Sequence, residues 1–415
     1  MGTGPILVFD KSLLESLSPD ESVWLGQFYR ANMTPLFFIE TLADLTKERT
    51  DGRTPEQVVA RLAEKTAAMT ADANVHHTTL CTADLVGEAV EMKRLPVLGG
   101  GRSVEREGKK GVIFDQSRES KALERWRRGE FEDLERDYPK AWRDALGTLD
   151  LTRAVKAAEP FLKSTARPKR LTEVKQLADA IIGDTRQAEK VLGVALAQLN
   201  IPYELWGKIF DRWKSGGQLP LSTFAPYAAH VMRVDLFFTA ALMYGLIGAE
   251  RASNKIDMNY LYYLPFCMVF ASKDRLHART VPVFLKPNQQ FLWAADLKSD
   301  LKRLDEYFSA MTDEVKNRGV ISFASRPPLD ATFLTTRLWD AFMAPWWRDP
   351  KPDRKPATPE EAEREKELLK ELNAEVAAAA AAGEPIHVQD ADFVILESKV
   401  PRQVGKWKII PDSVK

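Results

Sequence analysis

The sequence predicts an α/β fold, and three stretches carry that prediction. Ile6 to Phe9 is an apolar run headed by Pro5 and closed by Asp10, which reads as a buried strand ending in a carboxylate. Ser18-Pro19-Asp20-Glu21 is a helix-start signature, with a capping serine, proline at the first helical position and acids in the first turn. Asn254 to His277 (NKIDMNYLYYLPFCMVFASKDRLH) reads as a helix with Asp257 in its first turn, then a buried strand, Met268 to Ala271, whose carboxyl end delivers Asp274. Ligand-binding groups of α/β proteins gather at strand ends and helix starts. Two carboxylates on one sheet edge repel each other unless a cation or a proton lies between them. Taken singly, Asp257 also reads as a helix-start acid and Asp274 as a turn residue.

Composition narrows the class. The 415 residues are enough for two or three domains. Lys+Arg and Asp+Glu are both 59, so no global basic field advertises nucleic acid, although a local basic surface is compatible with this balance. A hydrophobic share of 45% with 28% charged residues is that of a soluble protein. Only Cys81 and Cys267 are present, each in an apolar setting, which argues against a disulfide framework or a zinc site. The first residues lack the pattern of a signal peptide, and the most apolar window, Val234 to Ile247, contains Asp235 and is too short to span a bilayer. The expectation is a cytoplasmic protein with no membrane contact.

The remaining elements follow in order. The helix opened by Ser18 carries Val23, Trp24, Phe28 and Tyr29 toward a core. Thr34 to Phe38 reads as a second apolar strand, and Ile39 to Leu45 as a helix with Glu40 near its start, where a negative charge is favourable in any case. Asp44 lies one turn after Glu40 on the same face. Thr54-Pro55-Glu56 starts a helix running to about Thr70. His76, His77 and Cys81 have no second ligand pair to complete a metal site, and adjacent histidines are expected to point apart, so a structural or surface role is the better reading. Leu98-Gly99-Gly100-Gly101-Arg102 lacks the Lys-Ser/Thr of a phosphate-binding loop and reads as a turn, followed by a small hairpin over Arg102 to Phe114. Ser120 to Ala145 reads as one charged helix. Its Trp126, Tyr138 and Trp142 stand among arginines, a mixture suited to single-stranded nucleic acid, but the interleaved acids favour a solvated helix. Arg170 to Leu199 is amphipathic helix. Beyond Asp274, Val281 to Leu285 reads as an edge strand, Leu297 to Asn317 as a charged helix, and Leu334 to Phe342 with Trp339, Trp346 and Trp347 as a packing element. From Asp349 a proline-rich linker leads to a polar helix from Thr358 to Gly383, and Ile395, Val400, Trp407 and Ile409-Ile410 give strand-like patches that pack on the body or on a partner.

In this order, strand-Asp10, helix-Glu40, helix-Asp257 and strand-Asp274, the chain resembles the PIN-domain nucleases. LVFD matches the family's first strand and acid, FFIETLADL its helix-borne glutamate, NKIDMNYLYYLP its third acid, and FASKD its fourth, with Ser272 two positions before Asp274. The resemblance implies a parallel sheet flanked by helices, whose carboxyl edge gathers Asp10, Glu40, Asp257 and Asp274 around Mg²⁺ or Mn²⁺. Such ions take carboxylates and waters, which suits these side chains independently of the family. Ser272 would orient a ligand from behind, while Lys273, Arg275 and His277 either meet phosphate or are solvated loop residues. Lys11 follows Asp10 where small family members carry Thr or Ser, and Ser12 is placed to take over that role. Asp235 is a rival for the third acid, but Asp257 leaves room for one short helix and a strand before Asp274.

The resemblance is split. Residues 1–48 and 226–290 carry the core, 49–225 a mainly helical insertion, 291–348 a C-terminal helical part, and 349–415 the linker, charged helix and tail. The expected function is a metal-dependent endonuclease in which carboxylate-bound Mg²⁺ or Mn²⁺ activates water. Single-stranded RNA is implied over DNA by the family's common use, and a protein partner or homo-oligomer is compatible. The alternative is a catalytically silent module that binds nucleic acid or protein through the insertion and tail.

Overall fold

The computed structural model describes residues 4–47, 52–69, 71–106, 108–148, 150–152, 155–156, 159, 167–349, 364, 367, 391–397 and 399–411. A five-stranded parallel sheet forms its centre, in the order β3 (Ala71–Ala73), β2 (Arg30–Met33), β1 (Ile6–Phe9), β6 (Val269–Ser272) and β7 (Gln290–Trp293). The chain steps outward from β1 to β3 in one direction and from β6 to β7 in the other. The order therefore reverses between β1 and β6, and a crevice opens at the carboxyl ends of those two strands.

Side chains alternate along β1 and β6 as a doubly covered sheet requires. Leu7, Phe9, Val269 and Ala271 face one core, while Val8 and Phe270 face the other. The first core is covered by α2 (Pro19–Phe28), α4 (Pro55–Thr66) and a long helix, Ala294–Ser309. The second is covered by α5 (His77–Val86) and, further on, by helices at Leu171–Gly183, Ala188–Gln198, Tyr203–Ser215 and Pro226–Met243. The stretch 49–225 is thus no separate body. It contributes strand β3 to the central sheet and supplies much of one helical layer, with Val174, Leu192 and Trp213 in the same core as Val8 and Phe270.

Several elements differ from the sequence expectation. Thr34 to Phe38 is not a strand: β2 ends at Met33, Thr34 caps a helix by accepting from the Phe37 N–H, and α3 (Pro35–Leu42) starts with proline. Glu40 consequently lies in the second turn of α3 rather than near its start. Val281 to Leu285 belongs mostly to a helix, Arg275–Phe284, and the edge strand is β7. The charged helix at Ser120 to Ala145 is two helices, α6 (Arg118–Arg127) and α7 (Asp133–Gly147), broken at Gly129, whose φ of 75° glycine adopts without the steric cost a side chain would bring.

The hairpin at Arg102 to Phe114 is present as β4 (Arg102–Arg106) and β5 (Lys109–Phe114), and the tail strand β8 (Phe393–Leu396) joins it in parallel to β5. Farther along, β9 (Gln403–Val404) and β10 (Trp407–Lys408) set Trp407 against Trp24 at 4.7 Å between ring centroids. The tail therefore packs on the body. The polar helix expected from Thr358 to Gly383 lies outside the described residues, apart from Arg364 and Glu367. No helix among the described residues is long and apolar enough to cross a membrane.

Candidate active site

Sheet register brings the first two site residues together. Phe9 is paired with Ala271, so Asp10 and Ser272 emerge side by side at the carboxyl edge. Asp10 caps α1 (Lys11–Ser16) by accepting from the Leu13 N–H at 3.1 Å. Ser272 donates to Asp10 Oδ2 at 2.6 Å, and Ser12 lies 2.7 and 2.8 Å from the two Asp10 oxygens, the place expected for it. Asp274 caps the following helix, α13 in the chain's continuing count once the helices at 171–183, 188–198, 203–215, 226–243 and 254–259 are numbered α8 to α12. It accepts from the Leu276 N–H at 2.5 Å and the His277 N–H at 3.3 Å. Asp257 sits in the first turn of α12.

Asp10, Glu40, Asp257 and Asp274 line one cavity of about 330 Å³, together with Ser12, Glu15 and the cations Lys11, Arg251, Lys273 and Arg275. The acids are buried or half-buried at the base, whereas Arg251, Lys273 and Arg275 are exposed at the rim. Lys11 is buried and turned inward, pairing with Asp44 at 2.8 Å and Glu15 at 3.3 Å. Asp44 is thereby committed to Lys11 and does not line the cavity. Asp235, the rival third acid, is also engaged elsewhere, accepting from Lys255 and from the Tyr262 hydroxyl.

The electrostatics record the crowding. Burial pushes the Glu40 carboxyl up to about 7, against the Tyr260 hydrogen bond and Lys11, with Asp257 and Asp10 adding to the rise. Asp257 is pushed up to about 6, first by burial and then, against His277, by Asp274 and Asp10. For Asp10, burial acts upward, but His277, Ser272 and Ser12 outweigh it and hold the group below the usual range. His277 is pulled up to about 9: burial opposes its charge, and Asp10 and Asp257 overcome that opposition. Its ring is fully buried, so it cannot meet phosphate, the role the sequence left open for it. The sequence reading singled out His277 but gave it neither its burial nor its partners, and it missed Tyr260, of which the aromatic run beside Asp257 was the only trace.

The donor set suits a hard divalent cation: Asp10, Glu40, Asp257 and Asp274 share one cavity with Glu15, which pairs with Lys11, and Glu40 and Asp257 are reluctant to ionise unaided. Among the described residues no three Asp, Glu, His or Cys side chains close to metal-binding distance.

The other candidate groups serve the fold. The His76 and His77 rings do not point apart but lie 4.3 Å from each other, and His77 packs on Tyr262 at 4.7 Å. Trp126 is buried against Phe38 and Phe131, and Arg125, Arg128 and Arg136 pair with Glu135, Glu130 and Glu56. Arg143 donates to the carbonyls of Ala43 and Thr46. The arginine-aromatic stretch is therefore largely occupied within the molecule. Compared with protein-family models, with curated proteins and with solved structures, the chain matches none.

Proposed function

We propose that the chain is a PIN-like, metal-dependent nuclease whose Asp10, Glu40, Asp257 and Asp274 hold Mg²⁺ or Mn²⁺. The observation that carries this reading is the convergence of those acids on one cavity at the reversal point of a parallel sheet. A divalent cation bound there would supply acidity to water and offset charge on a phosphate. Ser12 and Ser272 fix the Asp10 carboxylate, and the backbone N–H groups at the start of α13 fix Asp274, so neither needs to search for its orientation. Arg251, Lys273 and Arg275 form a cationic rim where a phosphodiester backbone would lie. A single strand is the proposed substrate, because the rim offers charge without a groove-reading element, and RNA is proposed over DNA on the resemblance to the PIN-domain nucleases alone.

A second reading is favoured by one observation: Asp10 already accepts from Ser12, Ser272 and Leu13. On that reading the cavity binds nucleic acid or a protein without cutting. Incubating the protein with labelled single-stranded RNA and DNA, with Mg²⁺, Mn²⁺ or EDTA, separates the two. The nuclease reading expects metal-dependent RNA fragments that Asp274→Asn abolishes. Retarded but intact strands would favour the binding module.

A further inference from the structure

The site acids come from separate places: the end of β1, the second turn of α3, the first turn of α12 and the start of α13. Sheet register aligns Asp10 with Ser272, but it cannot fix α3 and α12, which are not strands. Two buried rings make that connection. His277 Nε2 lies 2.7 Å from the Asp257 carbonyl oxygen, which only accepts, so Nε2 donates. Its Nδ1 lies 2.9 Å from Ser272 Oγ, the same oxygen that donates to Asp10 and accepts the Asp274 N–H at 2.8 Å. The His277 N–H donates to Asp274 as well. Tyr260, three positions after Asp257, donates its hydroxyl to Glu40. The Tyr260 ring stands edge-on to His277 at 5.7 Å, and Phe270 packs on His277 at 5.2 Å.

We infer that His277 and Tyr260 are positioning residues that together hold the four carboxylates in the arrangement the metal requires. The inference rests on the metal-site reading above. Both side chains are fully buried and neither lines the cavity, so neither touches a substrate there. His277 ties together the segments bearing Asp10, Asp257 and Asp274. Tyr260 ties Glu40 to the Asp257 segment. Groups behind a ligand shell that orient it this way typically change metal affinity or activity by about 10–100-fold when removed.

The test is Mn²⁺ affinity and the paramagnetic resonance spectrum of bound Mn²⁺, measured on the full chain for wild type, Tyr260→Phe, His277→Leu and His277→Gln. Tyr263→Phe is the control: Tyr263 is equally buried on the same segment, but its hydroxyl accepts from the His77 N–H instead. Near-ultraviolet circular dichroism checks folding. The inference expects Tyr260→Phe and His277→Leu to weaken Mn²⁺ by about tenfold or more with an altered spectrum. His277→Gln, which keeps a donor toward the Asp257 carbonyl, recovers part of the loss, and Tyr263→Phe matches wild type. If His277→Leu fails to fold, Tyr260→Phe and His277→Gln still decide. Variants that bind Mn²⁺ as wild type does, or a control that loses as much as Tyr260→Phe, overturn the positioning role and leave the metal site standing. A wild type that binds no Mn²⁺ removes the metal-site reading and this inference with it.

Discussion

At the residue scale, the site is held at a cost to the fold. Glu40 and Asp257 resist ionisation because burial and neighbouring acids both oppose their charge. Neutralising Asp257 should relieve repulsion as it removes a ligand. Asp257→Asn is expected to raise the stability of the metal-free protein by about 1 kcal/mol, after discounting for partial exposure to solvent, and to lose most of the stabilisation by Mn²⁺. Denaturant melts with and without EDTA check both halves. A second titrating residue lies away from the site. Burial, with Arg233, Lys286 and Lys175 nearby, pushes His230 down to about 3, and its Nε2 meets the Leu261 carbonyl at 2.9 Å. The unfolded chain takes up this proton near the ordinary histidine value of about 6.5. Stability from His230 is therefore intact above that value and lost as pH falls toward 3, by up to about 1.4 kcal/mol per pH unit. His230→Gln should flatten the stability-pH curve between pH 6.5 and 4, measured by urea unfolding.

At the element scale, what was legible was what local chemistry decides. Ile6–Phe9, the Ser18 and Thr54 caps, the hairpin at 102–114 and the strand before Asp274 were all readable, because each has a turn residue, a cap or a closed apolar run at its borders. Thr34 to Phe38 misled because LFF is apolar in either state. Yet Thr34-Pro35 carries the same cap-and-proline signal as Ser18-Pro19, and the structure follows it. The helix at Arg275–Phe284 was hidden by Pro282 and a short apolar run, and Asp274 starts it by capping. Long-range caps were not legible at all. Residue Ala225 offers no capping side chain to α11 (Pro226–Met243), and Asp84 of α5 fills that place, accepting from Tyr227 N–H at 2.7 Å and Ala228 N–H at 3.0 Å. Asp84→Ala should cost about 2 kcal/mol, since it loses a cap and leaves buried N–H groups unsatisfied. A chemical melt would show it, and an unchanged midpoint would refute this account of the α5–α11 junction.

At the scale of the whole molecule, residues far apart in sequence complete one sheet and the helical layers on its two faces. Three of the four acids were legible by position, because Asp10 and Asp274 each follow a strand and cap a helix and Asp257 lies in a first turn, whereas Glu40 lies inside α3 and was picked out by its place in the order. The site's supports were not legible, because His277 and Tyr260 act through contacts that only the folded chain makes. The tail is tied down in the same way. Asp305 accepts from Trp24 Nε1 at 3.1 Å, Trp407 Nε1 at 2.7 Å and Lys406 Nζ at 2.6 Å. Asp305→Ala should leave two buried indole donors unpaired, lower stability by about 1–3 kcal/mol and speed proteolysis within 391–411, read by mass spectrometry of early fragments. The central claim, that four carboxylates on this sheet edge form a divalent-metal site, is tested most directly by thermal melting of wild type and Asp274→Asn in EDTA, Mg²⁺ and Mn²⁺. The account predicts a melting temperature that rises with metal concentration in wild type and stays flat in the variant. A wild-type melting temperature that does not respond to either metal would contradict it.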